Sequence, residues 1–348
     1  MKRYITIIIS LIMILLIGCS EKNNINQPSI PETEDRLQIG MCFDSFVIER
    51  WQRDRDIFVA TAKELGADVN VQNANGDIDT QIEQINYFID SGMDVIVIIC
   101  IDSDSLSEAV EKAKNAGIKV IAYDRLINNA DIDLYISFDN EMVGTLMGEA
   151  LVDAGLEGGN VIMIGGSVAD NNVSLVENGF NDVMNANDIC ILDSTHCDGW
   201  KAEIAADYIA ENAELVEQAD AIMCGNDDIA SQVITSLAEL RLAGSIYVTG
   251  QDADLIACQR IVEGTQLMTV YKPVENLAKC AAELAVELGN GESIEDDGIT
   301  YISNGSYETA YLGLEPICVT ADNMDEIIIS SGFHQKDDVY LNVNTSEN

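Results

Sequence analysis

Polar side chains follow most of the short apolar runs in this 348-residue sequence. Any one of them could be an ordinary loop or helix-capping residue, because Asp and Asn are common in both places. Five in series are harder to explain in that way, since together they could hold a ligand by donating and accepting hydrogen bonds. The five run ends are Phe43-Asp44, Tyr123-Asp124-Arg125, Phe138-Asp139-Asn140, Gly225-Asn226-Asp227 and Gly250-Gln251-Asp252.

Basic and aromatic residues extend this pattern. The chain has only 18 Lys and Arg residues, so Arg125 and Lys272 stand out because each directly follows an apolar run. Trp51 and Trp200 are the only tryptophans. A lone tryptophan is commonly a core residue, but an indole can also cover the apolar face of a ring. Carboxylates, amides, cations and indoles in one place suit a neutral, polyhydroxylated ligand.

The elements that must position these residues alternate between strands and helices. Apolar runs at 95–100, 119–123 and 161–165 alternate with amphipathic stretches such as 81–91. This alternation predicts an α/β fold with doubly wound parallel sheets, and the chain is long enough for two of them. Ligands of such sheets bind beyond the carboxyl ends of the strands, which is where the polar residues stand.

Composition narrows the possible partners. The formal net charge is −42, from 60 Asp and Glu against 18 Lys and Arg. Nucleic acid and anionic lipid headgroups both attract basic surfaces, so we expect binding to neither. There is no CxxC, no HExxH and no nucleotide-binding glycine motif, so we expect no metal, no cofactor and no catalytic residues. Cys190 and Cys197 flank a stretch that a disulfide could bridge, and spacing leaves their pairing open.

The N-terminus predicts export from the cytoplasm. A basic start precedes an apolar run at 5–17, which is too short for a membrane-spanning helix and fits a signal peptide. Its ending, LIGC, resembles a bacterial lipoprotein signal. That resemblance implies that residues 1–18 are removed and that Cys19 is lipidated. Residues 19–36 are then the lipidated cysteine followed by a polar, flexible tether.

Seven motifs distributed along the chain form a specific set. They are ERWQRDRDIF at 49–58, AYDR at 122–125, YISFDNE at 135–141, DNN at 170–172, GND at 225–227, GQDAD at 250–254 and MTVYKP at 268–273. Together they resemble the bacterial D-xylose-binding proteins, which are type I periplasmic sugar-binding proteins that serve ABC transporters. The resemblance extends over residues 37–335, although GQDAD alone is shared with other sugar-binding proteins.

The resemblance implies which residues contact a sugar. Eight polar residues match the family's contacts, and two tryptophans match its stacking residues. The polar set is Arg50, Asp124, Arg125, Asp170, Asn172, Asn226, Asp252 and Lys272, and the stacking pair is Trp51 and Trp200. Asp44 ends the first apolar run and Asp139 belongs to YISFDNE, but we do not expect either of them to contact the ligand.

The resemblance also implies the architecture of a type I periplasmic binding protein, with two α/β lobes joined by a three-strand hinge. The crossings between the lobes are expected near Asn140, Lys272 and Tyr301. The expected segments are 37–140 plus 272–300 for the N-terminal sugar-binding lobe, 141–271 plus 301–335 for the C-terminal lobe, and 336–348 for a polar tail.

These inferences predict an extracytoplasmic, lipid-anchored, monomeric receptor. It would capture a monosaccharide, with D-xylose favoured, and present it to an ABC permease with its ATPase. A sugar sensor that signals to a membrane kinase or chemoreceptor would use the same pocket and is the alternative. A LacI-type repressor needs an N-terminal helix-turn-helix where this chain has an export signal. A glycosidase stays open by residue type alone, because carboxylates abound.

Overall fold

The structure is a computed structural model that describes residues 36–294 and 298–343. Residues 1–35 lie outside the described part, and with them the predicted signal peptide, the lipidation site at Cys19 and most of the tether. Within the two described ranges, no helix is both long and apolar enough to cross a membrane.

The first sheet has seven strands. They are β1 (Leu37–Phe43), β2 (Ala67–Asn73), β3 (Val95–Ile98), β4 (Lys119–Tyr123), β5 (Leu134–Phe138), β11 (Ile299–Ser303) and β12 (Glu308–Leu314). Their order is β11-β12-β5-β4-β3-β1-β2, and every neighbouring pair is parallel except β11 with β12. Helices α1 (Arg50–Glu64) and α10 (Val274–Gly289) cover one face, and α2 (Ile78–Asp90) and α3 (Ser107–Asn115) cover the other. We call this unit the first lobe.

The second sheet has six strands. They are β6 (Asn160–Gly165), β7 (Cys190–His196), β8 (Ala221–Cys224), β9 (Tyr247–Gln251), β10 (Met268–Tyr271) and β13 (Ile317–Val319). Their order is β13-β10-β9-β8-β6-β7, and only β13 is antiparallel to its neighbour. Cys190 and Cys197, whose pairing the sequence leaves open, are both free thiols, the first exposed and the second buried.

Helices cover both faces of the second sheet as well. One face carries α4 (Asn140–Asp153) and α5 (Asn171–Ala186). The other carries α6 (Glu203–Glu211), α7 (Ala213–Val216) and α8 (Asp227–Glu239). A separate apolar cluster joins α9 (Leu255–Glu263) to a π-helical turn (Asp325–Ile329) and α11 (Lys336–Val339). We call this unit the second lobe.

The chain passes between the sheets three times. The crossings lie between β5 and α4, between β10 and α10, and between β12 and β13. The last one corrects the expected boundary at Tyr301. Residues 301–314 complete β11 and form β12, which pairs in parallel with β5 from Tyr311↔Tyr135 to Leu314↔Phe138. They therefore belong to the first lobe, and the third crossing lies at residues 315–316.

Several strand-end residues also start the helix that follows. Asp139 accepts a hydrogen bond from the Met142 amide at the start of α4, and Asp170 accepts one from the Asn172 amide at the start of α5, both at 2.9 Å. Asn226 caps α8 in the same way. Such caps stabilise a helix by about 1 kcal/mol. The helix-capping interpretation thus holds for these three residues and is compatible with a second role in a site.

Candidate ligand-binding site

A cleft lies where the carboxyl ends of strands from both sheets meet. It holds about 480 Å³ of space between atoms, its opening to solvent included, which is in the usual range for small-molecule sites. Of the ten predicted ligand residues, Asn226 does not line the cleft, although its neighbour Gly225 does. The nine that the structure brings together there are Arg50, Trp51, Asp124, Arg125, Asp170, Asn172, Trp200, Asp252 and Lys272.

Arg50, the first residue of α1, is surrounded by carboxylates. Its Nη2 lies 2.8 Å from Asp124 Oδ2 and 3.2 Å from Asp54 Oδ1, and its Nη1 lies 3.8 Å from Asp252 Oδ1. Lys272 Nζ approaches the same Asp252 oxygen at 3.4 Å. These five side chains are at most 7% exposed. Because Asp252 follows β9, Arg50 connects the first lobe to the second inside the cleft.

Arg125, which follows β4, makes a second connection of this kind. Its Nη1 donates to Asp44 Oδ2 at 2.8 Å and to the Cys100 carbonyl at 3.0 Å. Its Nε lies 2.6 Å from Asp170 Oδ2, which belongs to the second lobe. Asp44 does not line the cleft and supports it through Arg125. The guanidinium is therefore fixed from two lobes and a backbone carbonyl.

The carboxylates of the cleft differ in their tendency to ionise. Burial alone would raise the pKa of Asp124, but the three basic residues of the cleft outweigh burial and lower it. Burial raises the pKa of Asp44 and of Asp170, and Arg125 opposes only part of this effect. Burial likewise raises the pKa of Asp54, against the effect of Arg50. Of these four carboxylates, Asp124 is the one whose ionised form the surroundings favour.

The two tryptophans flank the cleft. Trp51 is 1% exposed and belongs to the core of the first lobe as well as to the cleft wall. The Arg125 guanidinium lies 5.6 Å from the Trp51 ring and 5.9 Å from the Trp200 ring. Both indole N–H groups are buried without a hydrogen-bond partner. A Cβ added at Gly166 would come within 2.2 Å of the Trp200 ring, so this glycine allows the ring to pack there.

Three residues of the cleft, and a neighbour of one of them, have a strained backbone. Asp124 has φ 64°, Trp200 φ 58°, Asp252 φ 96° and Ala253 φ 55°. Non-glycine residues rarely adopt such values, and each costs on the order of 1–3 kcal/mol. At Asp124 the cost is offset locally, since its carbonyl accepts hydrogen bonds from Ser137 Oγ and Asn172 Nδ2. Strain that the surroundings hold in place is typical of ligand sites.

The sequence pattern of the periplasmic binding protein domain matches residues 39–293. The chain belongs to this family. It is 45% identical over 310 residues to the D-xylose-binding periplasmic protein of Haemophilus influenzae, an alignment that covers 87% of this chain and 92% of that one. The D-xylose-binding periplasmic protein of Escherichia coli is also 45% identical, over 309 residues, with the same coverage. The predicted family is thereby confirmed.

A solved structure extends the comparison to the fold. An ABC transporter solute-binding protein from Clostridium phytofermentans with bound β-D-glucose matches with a TM-score of 0.78 and 29% identity. The match covers 87% of this chain and 99% of that chain. The predicted fold, two parallel α/β lobes of the periplasmic binding protein type, is confirmed.

Sequence reasoning missed part of this binding-protein cleft. Glu177 on α5 lines it, and its Oε1 lies 2.8 Å from His196 Nε2. Gln251 lines it too, and its Oε1 is buried without a hydrogen-bond partner. No local signal identified Glu177, because the other cleft residues on its face of α5, Val173 and Val176, were not predicted either. The remaining lining residues are Ile48, Asn140, Val173, Val176, Met223 and three glycines.

The cleft is equipped for recognition through hydrogen bonds. It presents carboxylate acceptors, cationic donors, amides and two unpaired indole N–H groups, together with apolar side chains from both lobes. In the described ranges, no group of His, Cys, Asp and Glu side chains is arranged to hold a metal ion. A neutral ring with several hydroxyl groups matches this combination of donors, acceptors and apolar faces.

Proposed function

We propose that this chain is the sugar-binding component of an ABC importer and that it captures a monosaccharide, in the first instance D-xylose. The observation that carries the proposal is the single cleft in which cations, carboxylates, an amide and two indoles from both lobes converge. The 45% identity to two D-xylose-binding periplasmic proteins supports the sugar class. In this proposal the chain acts by binding and release, and it carries out no reaction.

Each kind of side chain has a role in this proposal. Asp124 and Asp252 accept hydrogen bonds from ring hydroxyls, while Arg50 and Lys272 donate to hydroxyl oxygens. Arg125, Asp170, Asn172 and Asn226 complete the polar contacts. The indoles cover the two C–H faces of the ring, as aromatic rings do in many sugar sites. Asn226 does not line the cleft in this structure and is included because its GND motif matches the family. Its Oδ1 accepts the capping bond from the Ile229 amide, so its Nδ2 is the atom that would donate to the sugar.

Affinity for so small a ligand requires both lobes. A pentose has about ten heavy atoms, so micromolar binding, about −8 kcal/mol, needs about −0.8 kcal/mol per atom. That value is attainable only if most hydroxyls are bound at once. The pairs Arg50–Asp252 and Arg125–Asp170 already join the lobes across the cleft. Closure of the lobes therefore assembles the sugar contacts and these ion pairs in one step.

The decisive experiment is calorimetric titration of the purified protein with D-xylose, L-arabinose, D-ribose and D-glucose. We expect micromolar affinity for D-xylose and weaker binding of the others. No heat with any monosaccharide would exclude sugar capture. Deletion of the gene should abolish uptake of labelled D-xylose, whereas normal uptake with a lost transcriptional response would instead identify a sensor. A chromogenic xyloside should remain intact in the presence of the protein.

We further propose that the protein is a monomer held outside the cytoplasmic membrane by a lipid on Cys19. Support for the anchor comes from the N-terminal sequence alone. A Cys19→Ala variant should lose incorporation of an alkyne-labelled fatty acid and leave the membrane fraction. Persistent labelling and membrane association of that variant would contradict the anchor.

A further inference from the structure

Arg53 makes a connection between the lobes that lies outside the cleft. It stands on α1, three residues after Arg50, and it does not line the cleft. Its Nη2 donates to the Phe333 carbonyl at 3.1 Å, and its guanidinium carbon lies 3.9 Å from the centre of the Phe333 ring. Its Nη1 also pairs with Glu275 at 3.4 Å. One side chain thus binds Phe333 through its backbone and through its ring.

Phe333 belongs to the second lobe. It is 8% exposed and packs edge-on against Tyr271 of β10, with ring centres 4.8 Å apart. It lies in the apolar cluster that contains Val319 of β13 and residues of α9. Its anchorage in that lobe is therefore firm, while Arg53 is anchored in the first lobe through α1.

The residue after Phe333 reaches a strained loop of the binding site. His334 Nε2 lies 2.8 Å from the carbonyl of Ala253. Ala253 directly follows Asp252, and both have positive φ. Asp252 is the carboxylate that faces Arg50 and Lys272 in the cleft. The segment 333–334 thus connects Arg53 on one lobe with the loop that presents Asp252 on the other.

We propose that Arg53 is a positioning residue that latches the closed cleft by holding α1 against Phe333. The inference rests on the proposed function, in which the lobes close on a sugar. A contact made only in the closed form raises the closed fraction, and the apparent Kd is inversely proportional to that fraction. Arg53 then strengthens sugar binding without touching the sugar.

Arg55 supplies a matched control on the same helix. Its side chain is 33% exposed, against 35% for Arg53. It also has a carboxylate partner, Asp56 at 2.8 Å, and an aromatic partner, Phe46 at 5.2 Å. Both partners lie in the first lobe, so these contacts do not change when the lobes close. Replacement of either arginine removes one positive charge from the same helix.

The test compares Arg53→Ala, Arg53→Lys and Arg55→Ala in the full-length protein. We expect Arg53→Ala to weaken D-xylose binding about three- to tenfold, mainly through faster dissociation, with Tm unchanged. Arg53→Lys should recover part of the loss, and Arg55→Ala should bind like the parent protein. Equal affinity of Arg53→Ala and the parent, or an equal loss in Arg55→Ala, would overturn the latch.

Small-angle X-ray scattering without sugar separates the latch from the proposed function. Arg53→Ala should have a larger radius of gyration than the parent, and Arg55→Ala should not. If the parent binds no monosaccharide, the proposed function fails. The scattering comparison still decides whether Arg53 holds the lobes closed, because it is made without sugar. Phe333→Leu, which keeps an apolar side chain in the cluster, should also increase the radius of gyration. Identical radii for the parent, Arg53→Ala and Phe333→Leu would refute the latch.

Discussion

Replacement of Lys272 by methionine removes a charge from the cleft while the length and apolar volume of the side chain are kept. Lys272 Nζ lies 3.4 Å from Asp252 Oδ1, an atom that is buried and has no hydrogen bond of its own. After the change, the nearest cation to this oxygen is Arg50 at 3.8 Å. In the proposed function Lys272 also donates to a sugar hydroxyl. Loss of a hydrogen bond from a charged donor costs about 1.5–3 kcal/mol, which corresponds to a roughly 10- to 150-fold higher Kd.

Titration calorimetry with D-xylose measures this change directly. Lys279→Met is the control, because Lys279 is an exposed residue on α10 and the substitution alters the net charge by the same amount. Circular dichroism should show that both variants are folded. We expect a loss of at least tenfold for Lys272→Met and parent-like affinity for Lys279→Met. Parent-like affinity in both variants would refute the assignment of Lys272 to the sugar site.

Three further outcomes follow from the geometry. Gly166→Ala should displace the Trp200 ring, and thus shift tryptophan emission and weaken sugar binding by at least tenfold; an unchanged spectrum and affinity would contradict that packing. Asp124→Asn, which keeps the shape of the side chain, should weaken binding by a similar factor in calorimetry, because the charge facing Arg50 is lost. When the pH is lowered, sugar affinity should fall before Tm does. Burial raises the pKa of Asp44 and of Asp170, so both become protonated at a pH above the ordinary aspartate pKa of about 3.9. Their protonation releases Arg125 under conditions in which the protein is still folded. The lowered pKa of Asp124 removes stability only below that value, and simultaneous loss of affinity and Tm would contradict this order.

The polar residues at strand ends could be predicted because one rule of sheet geometry governs them. In a parallel sheet, every strand delivers its carboxyl end to the same edge, so Asp124 and Arg125 lie at that edge of the first sheet, and Asp252 and Lys272 lie at that edge of the second. That the two edges face each other across a cleft was implied by the family resemblance and not by this rule. Because the chain has few basic residues, Arg125 and Lys272 could be recognised as candidates from their positions after apolar runs. The positions of these residues at the sheet edges follow from the order of strands and helices alone, and the apolar runs indicate that order.

The lobe to which each of the last strands belongs could not be predicted in this way. The third crossing occupies only residues 315–316, between β12 and β13. Pro316, one of four prolines in the chain, marks a break between two strands there, but it does not show which sheet the following strand joins. Whether a late strand pairs with β5 or with β10 depends on which sheet edge is open, and a linear pattern does not contain that information. The expected crossing at Tyr301 was wrong for this reason.

Helix-borne contributions to the site were equally hidden. Glu177 enters the cleft because α5 packs with a particular rotation, and His196 meets it from the end of a different element, β7. Arg53 escaped attention because its partner is 280 residues away along the chain. Side chains that meet through tertiary packing leave no local signature, in contrast to the residues that end strands.

The charges of the cleft also bear on which sugars it selects. Arg50, Arg125 and Lys272 face five carboxylates, those of Asp44, Asp54, Asp124, Asp170 and Asp252. The cations are therefore already neutralised by protein groups, and the acids outnumber them. A neutral sugar exchanges hydrogen bonds with this network and leaves its charge unchanged. A sugar acid or sugar phosphate would add a negative charge to a buried region that already has an excess, so we expect D-xylonate and D-xylose 5-phosphate to bind at least a hundredfold more weakly than D-xylose. Competition titration measures this ratio, and comparable affinity for either anion would show that the arginines, not the neutral hydroxyl groups of the ligand, dominate recognition.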